Sequence, residues 1–276
     1  MQDKNDTKPP CRKRTVRDLQ RCARDGTRIV AITAYDALMA RLADEAGADL
    51  LLVGDSLGMT MLGHKTTIPV TLENVLHHTA AVVRGNRSAL VVADMPFLTY
   101  QISLEQALRN AGRFLQQAGA DAVKLEGGRT MAATIRRLTE SGIPVLGHIG
   151  ILPQSVLAEG GYRVHGRTEE EAAELMADAR AVEDAGAFGI VLEGMPTTLG
   201  ADITAAIGIP TIGIGAGPDC TGQVQVIHDV LGLFEDFLPR HARRYAQLAD
   251  EIRKALREYG EDVRSGRFPD QEHSFT

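Results

Sequence analysis

Residues 46–53 read AGADLLLV, and the same junction returns as AGADAVKL at 118–125 and AGAFGIVL at 185–192. Each sets a glycine where a helix can stop in the left-handed conformation, then starts an apolar run short enough for a buried strand. Working outward from these junctions, apolar runs predict strands at 29–33, 50–53, 90–93, 122–125, 144–147, 189–192, 211–214 and 224–227. Segments of helical period fill most of the gaps. They include ALMARLADEAG (37–47), TLENVLHHTAAVVRG (71–85), SLEQALRNAGRFLQQAG (103–119), TMAATIRRLTESG (130–142) and TEEEAAELMADARAVEDAG (168–186). Strands buried on both faces and joined by helices are parallel, and eight such units predict closure into an α/β fold, the (β/α)8 barrel. One interval departs from the pattern, because only GAGPDCTGQ (215–223) separates the last two strands where a helix is expected. An open doubly wound sheet is therefore the alternative architecture. Ahead of the first strand, TVRDLQRCARDG (15–26) reads as a helix able to plug the barrel floor, and PRHARRYAQLADEIRKALREYG (239–260) reads as a long final helix.

The 276 residues, 44% hydrophobic and 24% charged, suffice for one large core. The expected organisation is a single catalytic barrel domain over 15–262, between flexible tails at 1–14 and 263–276 that are polar and rich in breakers. A net charge of −6, mixed in sign, leaves no footprint for nucleic acid or an anionic membrane. No apolar run approaches membrane-spanning length, and MQDKNDTKPPCRKR at the N-terminus lacks the apolar core of a secretory signal, so a cytoplasmic location is expected. Cys11, Cys22 and Cys220 are odd in number and without metal-site spacing, which fits reduced, incidental thiols.

The second strand ends in LLLVGDSLGM (50–59), a buried run closed by Asp55 and Ser56. Taken alone, that ending is an ordinary turn or helix cap. The next strands end similarly: on Asp94 in VVADMP, on Lys124 and Glu126 in VKLEGG, on His148 in VLGHIG and on Glu193 in IVLEGM. In a parallel barrel these ends share one rim, so the six side chains should converge on one pocket. Turn formation does not explain Lys124, Glu126 or Glu193. Four carboxylates in one pocket repel and are costly to bury ionised unless a cation joins them, and one lysine does not balance four acids. A hard divalent ion such as Mg²⁺ suits Asp ligands with substrate oxygens and water, whereas zinc is disfavoured with a single histidine and no placed cysteine. Such an ion favours enolate chemistry, with a spare glutamate as base.

GDSLGM, TIPVT, ADMPF, VKLEGG, GHIGILPQS, GGYRVHGR, LEGMP and IGIGAGPDCTGQV occur in this order. Together they resemble the ketopantoate (3-methyl-2-oxobutanoate) hydroxymethyltransferase family from about Thr15 to Tyr245. The resemblance implies a (β/α)8 barrel of the phosphoenolpyruvate/pyruvate-binding type. It also implies transfer of a hydroxymethyl group from 5,10-methylenetetrahydrofolate to 3-methyl-2-oxobutanoate, giving 2-dehydropantoate for pantothenate and coenzyme A. By the same resemblance, Asp55 and Asp94 match ligands of one Mg²⁺ per subunit that also meet the keto acid, with Glu126 as the acidic group beside the metal. Ser56 and Lys124 match contacts to the substrate carboxylate, and Glu193 matches the general base. Family members form homo-oligomers, often homodecamers. The chain departs from the family pattern at Leu152, often Thr, and at His64 and Lys65, where Tyr or Asp is frequent.

Plainer readings stand beside these. His148 reads equally as a hydrogen-bonded core histidine or as a substrate or folate contact. His77 and His78 read as helix surface or subunit contact, and the glycines of GIGAG (213–217) as close approach of backbone to ligand. Two other functions remain open. One is a phosphoenolpyruvate mutase or isocitrate lyase relative, although the lyase's KKCGH-type cysteine loop is absent from the sequence. The other is a non-enzymatic barrel, which the intact acidic strand ends disfavour.

Overall fold

The computed structural model describes residues 12–275. Eight parallel strands close into a barrel in chain order: β1 (Ile29–Thr33), β2 (Leu50–Val53), β3 (Leu90–Asp94), β4 (Ala122–Lys124), β5 (Val145–Gly150), β6 (Gly189–Glu193), β7 (Thr211–Ile214) and β8 (Gly222–Gln225). β8 pairs with both β7 and β1, so the open-sheet alternative is excluded. Gly222 makes this closure possible, since a Cβ there would lie 2.5 Å from the Ile29 carbonyl oxygen. The short 215–221 link needs no helix because Thr221 and Thr211 tie its end to β7, the Thr221 N–H donating to Thr211 Oγ1 at 3.0 Å.

Five strands differ in extent from the sequence expectation: β3 and β6 run one residue further, to Asp94 and Glu193, β4 stops one residue sooner, at Lys124, and β5 and β8 are displaced. β5 begins after Pro144, which has no N–H to donate, and runs on to Gly150 because it stays paired with β6 as far as Glu193. His148 therefore lies inside the strand rather than at its end. β8 begins two residues earlier than expected, at Gly222.

The helices around β1–β7 are α2 (Ala37–Glu45), α3 (Leu57–Thr60), α4 (Leu72–Gly85), α5 (Leu104–Arg113), α6 (Ala132–Glu140), α7 (Glu169–Asp184) and α8 (Thr197–Ala206). Several start at side-chain caps visible in the sequence. Asp36 accepts from the Met39 N–H, Thr71 from Asn74, Ser103 from Gln106 and Thr168 from Glu171.

Helix α1 (Val16–Arg24) closes the floor as expected. Its Leu19 is buried in one cluster with Ile29, Leu50, Leu90, Leu146, Ile212 and Val224 from the barrel interior. The repeated AGAD junction has a physical role here. Asp49 accepts from the Val30 N–H at 2.7 Å and pairs with Arg14, while Asp121 accepts from the Val91 N–H at 2.8 Å and pairs with Lys13. Each aspartate thus joins two strand starts to the segment leading into α1. The third copy of the junction has Phe188 instead, which is packed into the core.

The barrel unit ends at Val226, whereas the sequence suggests a domain running to 262, and Ile227–Thr276 forms a second compact unit. That unit contains α9 (Ile227–Leu231) and α10 (Leu248–Ser265). The final helix starts at Leu248 rather than 239, because backbone groups in the intervening stretch bond elsewhere: the Tyr245 N–H donates to the Val230 carbonyl at 2.8 Å. At the C-terminal end α10 extends through Ser265, and Tyr259 packs edge-on to Phe268. Of the proposed N-terminal tail, 1–11 lies outside the described residues, as does Cys11; Cys22 and Cys220 are free thiols. No helix among the described residues is long and apolar enough to cross a membrane.

Candidate active site

Five of the six side chains expected at the rim lie at or just beyond the C-terminal ends of β2, β3, β4 and β6, and the sixth, His148, lies two residues inside β5. Asp55 and Ser56 occupy the turn between β2 and α3, Asp94 ends β3, Lys124 ends β4, Glu126 follows it by two residues, and Glu193 ends β6. Asp55, Asp94, Lys124, Glu126 and His148 are all buried, and the Glu193 side chain keeps 18% of its surface exposed.

Asp94 and Lys124 are register partners on adjacent strands, and the Lys124 ammonium donates to both Asp94 oxygens at 2.8 and 2.7 Å. Lys124 therefore arrives already paired, with Glu126 Oε1 at 3.9 Å. On the next strands His148 lies between two acids, Nδ1 3.6 Å from Glu126 Oε1 and Nε2 3.2 Å from Glu193 Oε2. At Ser56, Oγ lies 2.8 Å from the hydroxyl of the buried Tyr35. The Asp55 N–H points toward Asp94 Oδ2 at 3.4 Å.

The electrostatics follow from burial. Burial pushes the Asp55 carboxyl up, and the neighbouring Asp94 and Glu126 charges push it further, well above the usual carboxylate range. Asp94 is also raised by burial, against the opposing pull of Lys124. Glu126 is lowered, because burial is outweighed by His148 and Lys124. Lys124 itself is raised, since Asp94, Glu126 and Asp55 outweigh the burial that would discharge it. Burial and Lys124 likewise oppose charge on His148, yet Glu126 and Glu193 raise it to about 9. The two flanking acids thus favour the charged form of His148. If all are ionised, the four carboxylates of Asp55, Asp94, Glu126 and Glu193 face only Lys124 and His148, leaving two negative charges uncompensated.

That imbalance is the fit test for a divalent cation, and Asp55 and Asp94 pass it as buried oxygen donors at adjacent strand ends. Among the described residues no three of His, Cys, Asp and Glu close into a metal cage, so protein ligands alone do not complete a site. Glu126 is turned toward Gln154, whose backbone N–H it accepts at 3.1 Å, and toward His148.

Three neutral side chains join the site besides the residues at strand ends. Gln154, in the turn after β5, donates through Nε2 to Asp55 Oδ2 and to the Met95 carbonyl, both at 3.0 Å. Its Oε1 accepts from the buried Tyr100 hydroxyl at 2.8 Å. Half-exposed Tyr162 in GGYRVHGR has its phenol pushed up by burial and by Asp55, Glu193 and Glu126. None of the three is an ionisable strand end, although Gln154 falls in GHIGILPQS and Tyr162 in GGYRVHGR. The plainer readings divide. His78 Nδ1 meets the Tyr35 carbonyl at 2.6 Å, a structural bond between α4 and the start of α2. At GIGAG, Gly217 packs closely on the chain, since a Cβ there would lie 2.4 Å from Thr197 Cγ2.

A closed parallel barrel with buried acids, a lysine and a histidine on its C-terminal rim defines an enzyme of the (β/α)8 class. Solved structures of the same fold include phosphoenolpyruvate phosphomutase from Streptomyces platensis subsp. rosaceus (TM-score 0.60, 15% identity, 92% of this chain and 88% of that one). Another is 2,3-dimethylmalate lyase (TM-score 0.58, 21% identity, 94% and 91%), a member of the PEP mutase/isocitrate lyase superfamily. Within that fold the family model for ketopantoate hydroxymethyltransferase matches residues 13–271. The chain is 59% identical over 260 residues to the 3-methyl-2-oxobutanoate hydroxymethyltransferase of Chloroflexus aurantiacus, covering 94% of this chain and 92% of that protein. It is 54% identical over 264 residues to the protein of that name from Syntrophus aciditrophicus, covering 96% and 97%. The chain belongs to the ketopantoate hydroxymethyltransferase family and is an enzyme, a hydroxymethyltransferase.

Proposed function

We propose that the acidic rim binds 3-methyl-2-oxobutanoate, takes its C3 proton, and joins C3 to the one-carbon unit of 5,10-methylenetetrahydrofolate, with water supplying the hydroxyl oxygen and tetrahydrofolate leaving as the carbon–nitrogen bonds break, giving 2-dehydropantoate. The observation that carries this reading is the convergence of Asp55, Asp94, Lys124, Glu126, His148 and Glu193 at one end of the barrel, with Glu193 alone of the acids partly open. Asp55 and Asp94 would hold one Mg²⁺ per subunit, with Glu126 beside them. When bound, that ion supplies positive charge for the keto acid's oxygens as C3 loses its proton. Lys124 has one N–H beyond the two given to Asp94, and that N–H with the Ser56 hydroxyl suits the substrate carboxylate. Glu193 takes the C3 proton, with His148 Nε2 3.2 Å from its Oε2.

The enzyme acts in the cytoplasm as a homo-oligomer on this reading. What supports association is a stripe of exposed apolar residues on one face of α10, Ile252, Leu256, Tyr259 and Val263. The test is turnover of the purified chain with 3-methyl-2-oxobutanoate and methylenetetrahydrofolate. Formation of 2-dehydropantoate that stops on chelation and returns with Mg²⁺ is expected. No product with either metal state, or conversion of phosphonopyruvate instead, contradicts the reading.

A further inference from the structure

Gln154 has every hydrogen-bonding group of its side chain engaged. The two Nε2 hydrogens go to Asp55 Oδ2 and the Met95 carbonyl, and the two Oε1 lone pairs accept from the Tyr100 hydroxyl at 2.8 Å and from Gln101 Nε2 at 3.2 Å. The amide orientation is forced by its neighbours. The Met95 carbonyl can only accept, so a flipped amide would set oxygen against oxygen there. The backbone adds a closed ring of bonds: Gln154 N–H donates to Glu126 Oε2 at 3.1 Å, Glu126 N–H to the Tyr100 oxygen at 3.1 Å, and the Tyr100 hydroxyl returns to Gln154 Oε1. One residue on a turn after β5 (the 3-10 segment Pro153–Ser155) therefore links the chain segments following β2, β3 and β4. Among the described residues it is the only side chain donating to the Asp55 carboxylate.

We infer that Gln154 is a positioning residue for the proposed reaction, fixing the Asp55 carboxylate by its side chain and the Glu126 carboxylate by its backbone. The inference rests on Asp55 belonging to the substrate and cation site proposed above. A buried glutamine that merely filled space would contribute stability without setting the direction of an Asp55 lone pair. Gln154 directs one Asp55 oxygen toward itself and leaves the orientation of the other carboxylate oxygen determined. Groups that orient ligands in this way change metal affinity or activity by about 10–100-fold when removed.

Two variants separate positioning from packing. Gln154→Leu keeps a similar volume and removes all four side-chain bonds, and Tyr100→Phe keeps the ring and removes only the hydroxyl that fixes the amide. Each is titrated with Mn²⁺ by calorimetry in the absence of keto acid, and each is assayed for exchange of the C3 hydrogen of 3-methyl-2-oxobutanoate in deuterated water. The expected result is a folded Gln154→Leu protein, by circular dichroism, with Mn²⁺ affinity and saturated exchange rate both lower by about 10–100-fold. Tyr100→Phe should shift both in the same direction by less, and it decides the matter if the leucine variant does not fold. Wild-type affinity and rate in the folded variants, with only a lower Tm, overturn the inference and leave Gln154 a packing residue. A wild-type protein that neither binds Mn²⁺ nor exchanges the hydrogen overturns the reading of the site itself.

Discussion

Replacing Gly150 with alanine should disable the enzyme by displacing Glu193, although neither the acid nor any polar group is changed. Gly150 ends β5 opposite Glu193 on β6, at φ +100, where side chains are strongly disfavoured. A Cβ there would lie 2.0 Å from the Glu193 carbonyl oxygen, 3.0 Å from its carbonyl carbon and 3.2 Å from its nitrogen. These are backbone atoms, so no side chain can swing away. Ordinary contact begins at 3.4 Å, and the two strand ends must separate by about 1.4 Å, the difference between that distance and 2.0 Å. The same movement stretches the Ile151 N–H bond to the Glu193 carbonyl, now 2.9 Å. Displacing a catalytic group by about 1 Å costs on the order of 10²-fold. The strained backbone costs about 1–3 kcal/mol, a fall in Tm of roughly 2–12 °C for a chain of this size. The assay is the initial rate of 2-dehydropantoate formation at saturating keto acid, with calorimetric melting alongside. kcat should fall while KM stays near wild type, since Asp55, Asp94 and Lys124 stand on other strands. A variant turning over at the wild-type rate with an unchanged Tm would refute the reasoning.

Lys124→Met leaves Asp94 buried without its cation, which costs about 3–5 kcal/mol in the metal-free protein. Chemical denaturation should show that loss, and KM for the keto acid should rise; unchanged values in both would reduce the pair to a bystander. Asp55→Ala and Asp94→Ala should each abolish Mg²⁺-dependent turnover, and calorimetry should find Mg²⁺ binding lost in both. His148 sets a pH dependence: with its pKa raised from 6.5 to about 9 in the folded protein, its contribution to stability is complete below about 6.5 and lost as pH rises through about 9. Asp55, raised by burial and by Asp94 and Glu126, acts in the same direction as it ionises. Metal-free Tm should therefore fall over that window, and His148→Gln should flatten the slope; a slope unaltered by the variant would mean the imidazolium is not the group titrating.

The barrel was legible because parallel strands carry apolar residues on both faces, and the β1, β2 and β7 bounds coincide with the apolar runs. The rim was legible because ionisable residues at consecutive strand ends have no packing explanation. What stayed hidden depends on partners distant in sequence. The extent of β5 to Gly150 is set by pairing with β6, and the start of α10 at Leu248 by tertiary bonds such as that from Tyr245 to Val230. Gln154 escaped because a neutral amide in a loop marks no chemistry by itself, and its bond to Asp55, 99 residues away, forms only on folding. The pairing of Lys124 with Asp94 was equally invisible, being a consequence of β3–β4 register.

The proposed division of labour at the rim, with Asp55 and Asp94 on the substrate oxygens and Glu193 on the C3 proton, is tested most directly by hydrogen exchange without folate. Proton NMR of 3-methyl-2-oxobutanoate in deuterated water should show loss of the C3 hydrogen signal with wild-type enzyme and Mg²⁺. Glu193→Gln, nearly equal in volume and without basicity, should still bind Mg²⁺ and keto acid while exchange slows by roughly 10²- to 10⁴-fold. Exchange by the glutamine variant at the wild-type rate would contradict the account and remove Glu193 from the role of base.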